Sequence, residues 1–258
     1  MHRPSSPAAR ATVWWGCIWA LGGCAGIRPP SGPAPEASAL FASLVGPSRS
    51  LKTLSAEADI EYYASDGRAR LRAVLLAARP DRFRIEVLSP FREPLDIMAS
   101  DGTTLWWLSR TTWHVGPATA GAVSRLLPVP LAPDGLVDVL LGGVPEPADW
   151  DPVAVEGDDD PRAWRLELRH RAEPRDLQIW VDPNAPRVLR AQLDGVDVRF
   201  SRFEAVGESD APTRLQIRTS RVDLSIRMRD VDFGHPPDPS VFVLRPPEGA
   251  EVEPLIGP

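Results

Sequence analysis

Lysine is almost missing from this chain. Lys52 is the only one among 29 basic residues, and the arginines that make up the rest are spread along the sequence with no basic tract. A nucleic-acid groove needs clustered cations, so no nucleic-acid partner is expected. Cysteine is as scarce: Cys17 and Cys24 both lie near the start, and neither a disulfide framework nor a four-ligand metal site can be built from them. Beyond the first residues only His114, His170 and His235 remain as imidazoles, each isolated in sequence, and there is no G-x-S-x-G, H-E-x-x-H or P-loop signature. No enzyme activity, metal or cofactor is therefore expected. The run Asp158, Asp159, Asp160 lacks the alternating oxygen ligands and terminal Glu of a calcium loop and reads as solvated chain.

What is plentiful points to strands. Apolar residues make up 43% of the 258 positions, enough for a packed core, while 29 Pro and 19 Gly punctuate the chain too often for long helices. A mainly β protein follows.

The N-terminus has its own pattern. Arg3 and Arg10 precede an apolar run from Ala11 to Leu21, too short for the ~20 residues that cross a bilayer. Then come Leu21, Gly22, Gly23 and Cys24, which resemble a bacterial lipobox. The expected organisation is a cleaved signal over residues 1–23, a lipid-bearing Cys24, a Pro/Gly/Ser-rich tether over 24–37, and one domain over 38–258. Diacylglycerol and an N-acyl chain would be the covalent groups on Cys24. Ala25 follows the cysteine where Asp would favour inner-membrane retention, so a periplasm-facing outer-membrane anchor is expected.

A helical spacing at Leu40, Phe41, Leu44, Leu51 and Leu54 predicts a short helix before the first strand. The period then becomes two. Ala56 to Tyr62, Leu71 to Leu75, Phe83 to Val87, Leu95 to Ala99, Leu105 to Ser109 and Thr112 to Val115 read as a six-strand meander. Helices are predicted over Thr119–Leu127 and Pro133–Leu141, a loop over Pro145–Asp160, and strands again from Trp164 to Met228. About eleven strands with a helical interruption imply a single curved antiparallel sheet forming an unclosed β-barrel, capped by short helices. A domain break near Pro145 is the alternative, but half the strands could not cover their apolar face alone.

Several stretches carry a family resemblance. Asp81, Arg82, Phe83, Arg84, Ile85 through Ser89, Pro90, Phe91; Leu126, Leu127, Pro128, Val129, Pro130, Leu131; Val139 to Pro145; and the tail from Phe242 to Glu253 together resemble the LolB family of the LolA/LolB superfamily. The resemblance implies an acyl-binding apolar cavity and no bond-making chemistry. It further implies a monomer that takes lipoprotein acyl chains from a LolA-like periplasmic carrier, chaperoning their transport into the outer membrane. It also implies that Phe91, with Arg92 beside it, occupies a protruding loop that touches the membrane. The other reading of Phe91 is a turn residue folded back on the sheet.

The expected cavity lining is Leu71, Ala73, Leu75, Phe83, Ile85 and Val87, then Leu95, Ile97, Leu105 and Trp107, closed by Leu126, Leu127, Leu136, Val139 and Leu140 from the helices. Periodic apolar faces also fill ordinary cores, so an open cavity and a packed interior both remain open. Trp106, Trp107 and Trp113 form an aromatic group that suits either a membrane interface or core packing.

Overall fold

The computed structural model describes residues 32–255, apart from 66, 128, 130 and 159–161. The expected signal and the lipidated Cys24 fall outside the described residues, as does most of the tether. The chain first forms α1 (Ala37–Ser48), whose start is capped by the Glu36 carboxylate accepting from Ser38 N at 3.1 Å and Ala39 N at 2.8 Å. The helix is shorter than its apolar spacing predicts, because Leu54 already belongs to the first strand.

Six strands follow: β1 (Thr53–Ala64), β2 (Gly67–Ala78), β3 (Arg82–Leu88), β4 (Pro94–Ser100), β5 (Thr104–Ser109) and β6 (Thr112–Pro117). Each pairs antiparallel with the next. The helices α2 (Ala120–Leu126) and α3 (Pro133–Leu140) come next, close to the predicted limits, with Thr119 capping α2 and Pro133 opening α3.

The second run is β7 (Trp150–Asp158), β8 (Ala163–His170), β9 (Asp176–Val181), β10 (Val188–Leu193), β11 (Val196–Val206), β12 (Ser209–Arg218) and β13 (Val222–Asp232). Its last member, β13, pairs with β1, so the two meanders fuse into one sheet. A short β14 (Val252–Pro254) lies parallel to β6 and covers that edge. Gly116 makes the approach feasible: a Cβ there would meet Leu255 O at 2.1 Å.

Fourteen strands are thus joined in one unclosed sheet, with β7 at one edge and β14 at the other. The count exceeds the expected eleven or so, and β7 and β14 are strands that the sequence pattern did not place. The segment expected to be a loop, Pro145–Asp160, contains β7, which holds Pro152 and Gly157 and so looks unlike a strand. An edge strand tolerates both, because one side of its backbone has no partner to lose. Trp150 anchors it, 1% exposed, with Nε1 donating to Pro145 O at 3.0 Å.

One face of the sheet is mostly apolar. Register aligns Ile60, Leu71 and Ile226 in one row, then Ala58, Ala73, Val87 and Met228 in the next. α3 packs on β2 and β3, and α1 on β7, β8 and β12, so the helices cover this face from both halves. The opposite face is mostly charged. A second apolar cluster interrupts it, where Ala99, Trp106 and Leu244 are buried with Ile97, Trp113, Val115 and Val243 against them.

Candidate functional site

The inward set predicted from sequence splits into a packed floor and a half-open rim. Ala73, Leu75, Phe83, Leu105, Leu136, Val139 and Leu140 are all buried in one continuous core. Leu71, Ile85, Val87, Trp107, Leu126 and Leu127 are only partly buried. Trp107 stacks on His114, with ring centroids 4.6 Å apart.

Leu95 and Ile97 do not belong to this set. Phe83 pairs with Ser100 and Ile85 with Met98, so the inward residues of β4 are Ser100, Met98 and Asp96. Leu95 and Ile97 therefore face the other way, Ile97 into the second cluster. The alternation Leu95, Ile97, Ala99 is real, but its apolar side is covered by the chain tail only at Ile97 and Ala99, and Leu95 is exposed. The tryptophans divide by the same parity: Trp107 faces inward, while Trp106 and Trp113 join the outer cluster.

Beneath the α2–α3 connection lies an apolar slot of about 30 Å³, bounded by Val129, Leu131, Val139, Ala191, Leu193 and Val198. This contribution from β10 and β11 was missed in the sequence reading. The signal was present, since Val196 and Val198 alternate with Asp197 and Arg199 as regularly as the first meander does.

The loop between β3 and β4 is rigidly built. Ser89 is buried, and its Oγ accepts from Phe91 N at 3.2 Å and Glu93 N at 3.1 Å. Ser89 N donates to Glu93 O at 2.7 Å, and Arg92 N to Ser89 O at 2.9 Å. Arg92 takes a left-handed backbone, φ 66°, and its guanidinium pairs with Glu57 on β1. This frame leaves Phe91 86% exposed, so it does not fold back on the sheet. Pairing of Arg72 with Leu88 and of Tyr62 with Ala69 puts the loop at the same end of the sheet as the half-buried rim residue Leu71.

At the other end the helical cap is pinned. Arg79, which follows β2, pairs with Asp138 of α3, both nearly buried. Arg79 Nε also donates to Leu51 O at 2.8 Å, and Asp138 Oδ2 accepts from Glu146 N at 3.0 Å. Burial pushes the Asp138 carboxyl above the usual carboxylate range, against the pull of Arg79.

The histidines are dispersed. His114 lies on Trp107, His170 meets Trp150 edge-on at 5.0 Å, and His235 bonds Asp232 at 2.7 Å. Among the described residues no group of three His, Cys, Asp or Glu is placed to hold a metal, and no helix is long and apolar enough to cross a membrane.

No family model and no curated protein matches the sequence. Solved structures do share the fold. A LolA superfamily protein from Nitrosomonas europaea is similar over 82% of this chain and 99% of its own, with TM-score 0.57 and 16% identity. A DUF1329 family protein from Desulfovibrio piger is similar over 84% and 98%, with TM-score 0.60 and 11% identity. A candidate outer-membrane lipoprotein-sorting domain from Vibrio parahaemolyticus is similar over 80% and 97%, with TM-score 0.54 and 10% identity. The likeness is one of fold.

Proposed function

We propose that this chain is a lipid-anchored outer-membrane protein that receives the acyl chains of lipoproteins and assists their insertion into the membrane. The observation that carries the reading is Phe91, 86% exposed on a loop whose geometry is fixed by Ser89. A rigid apolar tip loses little conformational freedom when it enters lipid, so most of its transfer free energy is kept. Cys24, carrying diacylglycerol and an N-acyl chain, holds the domain at the membrane from the periplasmic side. A LolA-like periplasmic carrier delivers the cargo.

Acyl chains enter from the rim formed by Leu71, Ile85, Val87 and Trp107 and advance under the α2–α3 connection by displacing Val129 and Leu131. Each CH₂ that leaves water gains about 0.8 kcal/mol, and the same gain awaits it in the bilayer. Transfer onward is then nearly balanced. Weak apolar contacts with no polar anchor for the cargo are what such an exchange needs.

Depletion in the host bacterium is expected to leave other lipoproteins mislocalised, and Phe91→Asp is expected to bind acylated cargo yet fail to pass it to vesicles. Normal lipoprotein localisation after depletion refutes the reading. The small volume of the slot, about 30 Å³, favours a second reading in which the same fold is an accessory of an envelope complex that holds a partner peptide and no lipid. Mass spectrometry of what copurifies with the Cys24→Ser protein separates the two.

A further inference from the structure

The charged face of the sheet holds a row of residues that acyl handling does not use. Register sets Arg214 directly opposite Arg227, Arg227 opposite Asp59, and Asp59 opposite Arg72. Like charges facing each other on neighbouring strands destabilise a sheet. The carboxylate in the row makes its ion pair with Arg229, which donates to Asp59 at 2.9 Å, and not with Arg72 or Arg227. Nearby cations are matched: Arg70 with Glu61 at 3.3 Å, Arg84 with Glu86 at 2.5 Å, and Arg92 with Glu57. Among the described residues Arg72, Arg214 and Arg227 have no hydrogen-bond or ion-pair partner.

These three side chains line a groove of about 550 Å³, and the wall of that groove is the protruding loop itself, through Leu88, Ser89, Pro90 and Leu95. The two carboxylates in the groove, Asp59 and Glu61, are the ones already engaged by Arg229 and Arg70. An acidic protein, formally -6, therefore keeps a net positive pocket, four arginines against two carboxylates, beside Phe91, the most exposed large apolar side chain among the described residues. Phosphates of membrane lipids lie immediately outside the acyl layer, and guanidinium groups bind phosphate in paired hydrogen bonds.

We propose that Arg72, Arg214 and Arg227 form a headgroup site for the phosphate of an anionic glycerophospholipid at the membrane surface, engaged while Phe91 enters the acyl layer beside it. The proposal rests on the reading of Phe91 as the membrane-touching residue. It assigns the charged face a distinct role, in docking and orientation.

The test uses the chain carrying Cys24→Ser, so that binding reports the domain and not the anchor, with phosphatidylcholine vesicles prepared with and without phosphatidylglycerol. The expected result is tighter binding to the anionic vesicles, with a loss of about tenfold or more in the triple variant Arg72→Gln/Arg214→Gln/Arg227→Gln. Its weak binding to neutral vesicles stays unchanged, whereas Phe91→Asp loses that component. The triple variant is expected to melt at or above the parent temperature, since it removes facing like charges. A control with the same charge change elsewhere, Arg162→Gln/Arg169→Gln/Arg245→Gln, is expected to keep the anionic preference.

Full retention of that preference by the groove variant overturns the proposal, as does an equal loss in the control. Inorganic phosphate that displaces the protein from vesicles at matched phosphate concentration also overturns it, by assigning the groove to a soluble ligand. Failure of acyl handling registers separately, as the absence of a copurifying acylated ligand, and leaves the vesicle result standing.

Discussion

Replacing Arg79 with Leu removes the cation from a carboxylate that has almost no water around it. Asp138 has an 8% exposed side chain, and after the change its remaining partner is the Glu146 N–H at 3.0 Å. Breaking one side of a buried pair costs about 3–5 kcal/mol, and the surviving hydrogen bond argues for the lower end, about 3 kcal/mol. For a domain of this size that lowers the melting temperature by roughly 6–12 °C. The loss depends on pH with a definite sign. Burial already raises the folded Asp138 value, and losing Arg79 raises it further. The folded state then binds the proton more tightly than the unfolded chain does, so stability is greatest below the usual Asp value of ~3.9 and falls as pH climbs through the raised one. Thermal melts at pH 4 and pH 7.5 are expected to show a small deficit in acid and the full deficit near neutrality. Arg79→Leu/Asp138→Leu, with no charge left to strand, is expected to recover most of it. A deficit below about 1 kcal/mol at pH 7.5, or one that does not shrink in acid, refutes the account of the pair.

Other substitutions address the loop and the slot. Phe91→Asp is expected to leave the unfolding free energy within about 0.5 kcal/mol of the parent, because an exposed side chain packs on nothing, while abolishing cargo release to vesicles. Ser89→Ala withdraws the acceptor of two backbone donors in the loop and is expected to cost about 1–3 kcal/mol, with faster amide exchange at Phe91 and Glu93. Ala191→Leu places added methyl groups in the slot of about 30 Å³ and is expected to reduce copurifying acyl ligand, measured by mass spectrometry, with at most ~1–3 kcal/mol of strain.

The sequence carried the elements whose burial follows one period. Ala73 and Leu75, Phe83 and Ile85, and the helices over 120–126 and 133–140 were legible because a single apolar face dominates each of them. Leu95 and Ile97 were not, because β4 is covered on both faces and the stronger alternation lies on the side sealed by Val243 and Leu244, far along the chain. β7 was hidden by Pro152 and Gly157, whose cost an edge position removes. The prominence of Phe91 could be read from the family resemblance, whereas the Arg72, Arg214 and Arg227 row could not. Arg72 lies more than a hundred residues before Arg214 and Arg227, and the three meet only through the register of β1, β2, β12 and β13.

The sheet ends at β7 on one side and β14 on the other, with no ladder between them among the described residues. A sealed cylinder can widen only by tearing a pair of strands apart, at the cost of a row of hydrogen bonds. This shell behaves like a partly opened book. Small changes in twist, shared over thirteen strand junctions, let its covers spread without breaking any one of them. Interior volume becomes a property of curvature, so a floor closely packed at rest does not fix the volume that the shell can enclose.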